Sequence, residues 1–269
     1  MAGVSAGQAP LPLARQRNTI LGALLVLAVA GWVVVAWQAG GGRMSMHDHH
    51  PMVGLDLTMG MTAPLFFAMW VSMMVAMMFP AAAPMILLFD RMQARKREAG
   101  RAYVPTAYFV GAYLSIWVGF GAVAYALAIG VQRLADNSMW VMANWARLGG
   151  LLLVGAGLYQ LSPLKDLCLA KCRSPISFLM TSWRDGTSGA IRMGLHHGLF
   201  CFGCCWLLFA ILVPLGVMNV AAMAVIALIV FAEKCLPGGH RIARVAAVVL
   251  VIYGLVVVVT PSALPTTVR

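Results

Sequence analysis

The sequence predicts an all-α fold: a polytopic membrane helix bundle of about seven transmembrane helices, with an amphipathic inner-surface segment between the fourth and fifth. Three observations carry this. Of the 269 residues, 62% are hydrophobic and only 10% are charged, a balance foreign to soluble domains. Apolar runs close to the length of a bilayer span recur along the chain. Lysine and arginine concentrate in alternate loops, as the positive-inside rule requires.

Residues 1–17 are rich in Pro and Ala and read as a disordered tail, 18–261 as the membrane domain and 262–269 as a second tail. The first span is expected at 20–37, after Arg15 and Arg17. Its apolar run is long for a signal peptide and no convincing small-residue cleavage site follows, so it is read as a retained helix. Gly40, Gly41 and Gly42 make a turn into a polar loop, 43–61. The second span is expected at 63–89, with Pro80 kinking or ending the regular helix. A basic loop, 90–98, precedes the third span at 105–131, where Pro105 suits a first helical turn. A loop at 132–144 leads to the fourth span, 145–161. The segment 162–192 mixes basic residues with Leu164, Leu167, Ile176, Phe178, Leu179 and Trp183, and predicts short helices at the membrane surface. The fifth, sixth and seventh spans follow at 193–213, 218–232 and 242–259, separated by Pro214, Gly216 and the Pro237-Gly238-Gly239 break.

With the N-terminus cytoplasmic, the inner segments hold Arg15, Arg17, Arg91, Arg95, Lys96, Arg97, Arg101, Lys165, Lys171, Arg173, Arg184, Arg192, Lys234, Arg241 and Arg244. Only Arg43, Arg133, Arg147 and Arg269 fall outside. This predicts a multi-pass chain with its N-terminus cytoplasmic and its C-terminus outside, the orientation expected in a bacterial inner (cytoplasmic) membrane. The net charge of +11 then reflects inner loops facing anionic lipid, and no nucleic-acid motif accompanies it.

The chemistry gathers in Gly194-Leu-His-His-Gly-Leu-Phe-Cys-Phe-Gly-Cys-Cys-Trp206. Read as a helix, it puts His197, Cys201, Cys204 and Cys205 on one side, while His196 is offset by about 100°. Cys168 and Cys172, spaced i, i+4, lie in the preceding inner segment, where folding back would bring them to the same site. Thiols on the cytoplasmic side stay reduced, so they read as metal ligands or redox groups and not as a disulfide framework. Lone cysteines are commonly just small buried hydrophobes, but five in two clusters with a histidine have metal-site composition. Soft ligands of this kind suit copper(I), with zinc as the other candidate.

A second constellation sits outside: Arg43-Met-Ser-Met-His-Asp-His-His-Pro-Met52. Met44, Met46, His47, His49, His50 and Met52 supply thioether and imidazole, the donors expected for copper. Met69, Met73 and Met77 then recur at i, i+4 in the second span, beside Met74 and Met78. Such a stripe is often flexible core packing; between the loop and the thiols it also suits a relay. Glu233, an acid near the inner end of the sixth span, is a candidate functional group, with Lys234, Arg192 or a histidine as its partner. There is no Ser/His/Asp arrangement, Walker loop or nucleotide fingerprint, so no enzymatic activity is assigned.

These motifs resemble a bacterial family of unknown function described as predicted metal-binding integral membrane proteins. The resemblance rests on Trp70-Val-Ser-Met-Met-Val-Ala-Met-Met-Phe-Pro-Ala, Leu161-Ser-Pro-Leu-Lys-Asp-Leu-Cys-Leu-Ala-Lys-Cys-Arg-Ser-Pro, Trp183-Arg-Asp-Gly, His197-Gly-Leu-Phe-Cys-Phe-Gly-Cys-Cys-Trp, Gly216-Val-Met-Asn and Glu233-Lys. It implies metal binding and carries over to Cys168, Cys172, His197, Cys201, Cys204, Cys205 and Glu233. Cys235, His196 and the outer loop are not parts of that pattern. The expected function is copper handling in uptake, delivery or sensing, with a copper chaperone or metalloenzyme as partner, in a monomer or homo-oligomer within the lipid bilayer. The alternatives are a membrane thiol-disulfide oxidoreductase using the Cys201-Phe-Gly-Cys204 spacing, or a scaffold subunit of a metal-dependent complex.

Overall fold

The computed structural model describes residues 13–45, 57, 61–217 and 219–265, and among them every regular element is helical. In chain order the elements are α1 (Leu13–Ser45), α2 (Ala63–Glu98), α3 (Thr106–Asp136), α4 (Met139–Tyr159), α5 (Pro163–Arg173), α6 (Pro175–Ser182), α7 (Gly186–Ala210), α8 (Leu212–Leu215), α9 (Val220–Cys235) and α10 (Gly239–Val259), with a 3-10 turn at Pro261–Ala263. Six are long and apolar enough to cross a membrane: α1, α2, α3, α4, α7 with α8, and α10. That is compatible with a multi-pass membrane protein, but the count is six and not seven. The sixth expected span is α9, whose 16 residues rise only about 24 Å at 1.5 Å per residue, short of the ~30 Å hydrocarbon core.

α9 nevertheless carries the chain from one end of the bundle to the other. Its start, Asn219 to Ala221, lines a cleft with Ala36, Ala39 and Gly40 of α1 and with Pro265. At its other end Glu233 meets Lys165 of α5. Gly216, with φ at 95°, makes the reversal between α8 and α9 that a side chain would resist. The Asn219 carboxamide then caps α9 by accepting from the Ala222 amide at 3.1 Å. The loops therefore still alternate between two ends. The starts of α1, α3 and α7 meet the far end of α2, and the start of α10 meets α5, which also holds the far end of α9, as the Gln16–Asp90, Thr106–Asp90, Lys96–Asp185, His240–Asp166 and Lys165–Glu233 contacts show.

Two other expectations are corrected. α2 does not end at Pro80; it runs unbroken through Pro80 and Pro84, and the expected basic loop is its last turns. Each proline removes one backbone hydrogen bond, a loss tolerated where neighbouring helices bury the segment. α2 is that buried helix: 61% of its most apolar window is enclosed, against 11% for α3. Likewise the loop expected at 132–144 shrinks to Asn137 and Ser138, because Ser138 caps α4 by accepting from the Val141 amide.

α2 is keyed to α3 by Trp70, whose indole donates to the Trp117 carbonyl at 2.9 Å across the face opened by Gly121. α4 and α10 run antiparallel with their backbones in close approach. A Cβ at Gly150 would stand 2.9 Å from both the Gly254 carbonyl and Val258 Cγ2. Gly150→Val is therefore expected to lower stability by about 1–3 kcal/mol through overpacking. Thermal unfolding of the purified protein checks this, and an unchanged midpoint would refute it.

The 162–192 segment forms α5, α6 and the first turns of α7, but α5 does not simply turn its apolar side inward. Leu164 and Leu167 are exposed, while Lys165 has no exposed surface and Cys168 is buried. Lys165, Cys168 and Leu169 face the bundle while Leu164 and Leu167 face out, so the buried side of α5 carries charge and thiol along with its one inward leucine.

Candidate metal centre

α7 places its chemistry where helical spacing puts it. His197, Cys201, Cys204 and Cys205 are all buried, at 1–3% exposure, whereas His196 is exposed and lies beside the rings of Phe178 and Phe200. Glycines make the close fit around this stretch. Gly194 lies against the Phe109 carbonyl, Gly198 against Ile116 at 2.8 Å, and Gly203 against the Cys168 sulfur at 2.7 Å, all measured from where a Cβ would stand. Tyr159 donates its phenol proton to the Gly203 carbonyl, tying α4 to the same turn.

α5 folds back against α7 and brings the second cysteine pair to the first. Cys168 reaches Gly203. The Cys172 thiol hydrogen-bonds toward Cys201 and Cys204, which pushes its pKa well above the ordinary value, with burial adding to the effect. All six cysteines are free thiols in this structure. Cys235 stands apart from the cluster, its sulfur 3.9 Å from the Ala81 carbonyl of α2.

The hydrogen bonds separate the three α7 sulfurs by role. Cys204 and Cys205 donate to the Cys201 carbonyl at 3.1 and 2.8 Å. Cys201 Sγ instead meets the Tyr113 phenol at 3.1 Å and accepts from the Lys234 ammonium at 2.9 Å. Lys234 also reaches Cys205 Sγ at 3.8 Å. The His197 ring stacks on Tyr113 and Phe109, with Phe178 edge-on, and its Nδ1 is buried with no hydrogen-bond partner. An orphaned ring nitrogen on the buried face that also carries three thiols is an open donor. Among the described residues no group of three or more His, Cys, Asp or Glu side chains already stands at ligating geometry. Cys204 and Cys205 would have to turn their sulfurs off the Cys201 carbonyl to reach a shared ion.

Glu233 does not pair with Lys234, Arg192 or a histidine. It pairs with Lys165 of α5 at 2.7 Å and accepts from the Gln160 amide at 3.0 Å, with both charged partners fully buried. Being successive, Glu233 and Lys234 point about 100° apart, so one grips α5 and the other α7. Arg173 adds a bond to the Glu233 carbonyl. At the exposed start of α7, well before the thiols, Asp185 is held by Lys96 and the Trp183 indole, which keeps its carboxyl below the usual range.

Lys165, Lys234 and Tyr113 are participants that sequence reasoning did not place here. Lys165 carried a signal: it precedes Cys168 by three and Cys172 by seven, one face of a helix. Lys234 reads as an ordinary end-of-helix base. Of the methionines, Met69, Met73, Met74, Met77, Met78 and Met85 are all buried in α2, spread over about half its circumference. Met44 falls in the last turn of α1. Met46, His47, His49, His50 and Met52 lie outside the described residues.

The sequence model of a protein family named PpoB2 and described as copper chaperone matches residues 67–257. No curated protein and no solved structure matches the chain. The match takes in the α2 methionines, all six cysteines, His197, Glu233 and Lys234, and begins beyond the Met/His loop. The chain belongs to this copper chaperone family.

Proposed function

We propose that this member of the copper chaperone family is a multi-pass inner-membrane protein that holds copper(I) as cargo at the α7 thiols and passes it to a metalloenzyme or another chaperone. Copper uptake, delivery and sensing all use such a site; delivery accords best with the family's description. The observation that carries the reading is the burial of Cys201, Cys204 and Cys205 in one helix turn, with Cys172 folded against them from α5. Reduced sulfur in an apolar enclosure favours a soft monovalent ion over harder ones. His197, with its unpartnered Nδ1, and Cys168, beside Gly203, are the next donors in reach.

The Met/His loop, through Met44, Met46, His47, His49, His50 and Met52, would capture the ion on the outer side. Met69, Met73 and Met77 would pass it inward along α2, which packs on α9 and so leads toward Lys234 and the thiols. In this arrangement the thiol end is cytoplasmic, consistent with the basic residues gathered there. Zinc(II) is the competing metal for a Cys/His set.

X-ray absorption at the copper edge, with elemental analysis of protein purified from copper-fed cells, tests this. The expected result is bound copper(I) with sulfur as its main neighbour. Copper surrounded only by nitrogen or oxygen, or zinc in its place, would overturn it. The contact of Cys172 with Cys201 and Cys204 also suits thiol–disulfide exchange. Recovery of a Cys172–Cys201 disulfide from cells, with no metal bound, would favour that reading instead.

A further inference from the structure

The charges buried beside the thiols do not cancel among themselves. Lys165 and Glu233 neutralise each other. Asp166 and His240 pair at the exposed surface. Lys234 is left: it is 8% exposed, it meets no carboxylate within ion-pair distance among the described residues, and its ammonium points at Cys201 and Cys205. The neighbouring acid, Glu233, is already committed to Lys165 and Gln160. A buried ammonium of this kind is costly without an anion, and the groups it faces can supply one only as sulfur.

From this geometry we infer that Lys234 is the fixed counter-charge of the metal-loaded site, and that it favours a monovalent thiophilic cation held by two thiolates, Cys201 and Cys205. The inference rests on the thiols being the copper site. Binding is a ligand exchange with no change of oxidation state: copper(I) takes the place of the thiol hydrogens, which leave as protons, and two metal–sulfur bonds form. One copper(I) and two thiolates sum to a single negative charge, which the ammonium cancels. A divalent ion on the same two sulfurs is already neutral and would leave Lys234 uncompensated. Tyr113, 3.1 Å from Cys201 Sγ, supplies a second polar neighbour that fixes this sulfur without adding charge. Lys234 is thus a positioning residue. It acts on the ion through sulfur hydrogen bonds, as outer-shell partners generally orient and tune metal ligands.

The test is a competition titration with a copper(I)-specific chelator on the full-length purified protein, repeated with silver(I) and zinc(II). The variants are Lys234→Met and Lys234→Gln, which remove the charge, and Lys234→Arg, which keeps it. Copper(I) and silver(I) affinity is expected to fall about 10–100-fold in the two neutral variants, the range found for outer-shell changes. Zinc(II) affinity should change far less, and Lys234→Arg should recover most of the copper affinity. Unchanged copper affinity in the neutral variants, or an equal fall for zinc, would overturn the counter-charge role. So would equal losses in all three variants with lowered melting temperatures, which would mark a packing role. Absence of sulfur-bound copper in the unmodified protein would instead refute the copper site itself.

Discussion

Replacing Cys201, Cys204 and Cys205 together by serine is expected to abolish sulfur-bound copper in the purified protein while leaving any metal held by the Met/His loop in place. Serine substitutes a hard oxygen for a soft sulfur at nearly unchanged volume, and copper(I) discriminates strongly between the two. The fold has reason to survive. The Cys204 and Cys205 sulfurs already bond back to the Cys201 carbonyl, and serine hydroxyls in a helix make the same bond to the preceding turn. Lys234 keeps an acceptor at position 201, though a weaker one. Copper per chain, measured on protein whose melting and size-exclusion profile match the unmodified chain, decides the matter. Undiminished copper with undiminished sulfur neighbours would sink the assignment.

The largest effect on stability is expected from Glu233→Leu. It strands the ammonium of Lys165, which has no exposed surface, and the amide of Gln160. Breaking a buried ion pair from one side costs about 3–5 kcal/mol, enough to unfold many single domains. The loss should be local first, because Lys165 pins α5, and α5 carries Cys168 and Cys172. The double variant Glu233→Leu/Lys165→Met removes both charges and is expected to recover most of the stability, since apolar replacements of a buried pair are often neutral. Melting temperatures across the four-protein cycle give the answer. A double variant as unstable as the worse single one would show that the pair is not what holds α5 in place.

Much of the site was legible in the sequence because a helix turns spacing into proximity. His197, Cys201, Cys204 and Cys205 share a face by arithmetic alone, and the structure buries all four while leaving His196 outside. The meeting of the two cysteine clusters followed from their both falling on the basic side of the chain. What escaped was the ionic wiring. Lysines near helix ends are expected of any membrane protein, so Lys165 and Lys234 carried a ready explanation that hid their inward course. Nor does a sequence show which of two neighbours, Glu233 or Lys234, faces which helix, since that depends on the rotation of α9. The count of seven failed at α9 on length: apolar composition marks 218–232 as a span without showing that its helix has only 16 residues, too few to cross. Pro80 misled because local propensity was weighed without the packing that enclosed α2.

The shortness of α9 has a consequence for a bilayer surrounding the bundle. A lipid layer around a helix some 6 Å shorter than its own hydrocarbon depth would thin, or admit water, near the shorter element. The dimple would form around Asn219, at the mouth of the cleft shared by α1, α9 and Pro265. The thin place would lie beside α1, whose Ala36, Ala39 and Gly40 share that cleft, so the outer ends of α1 and α9 would stand in water sooner than the rest of the bundle.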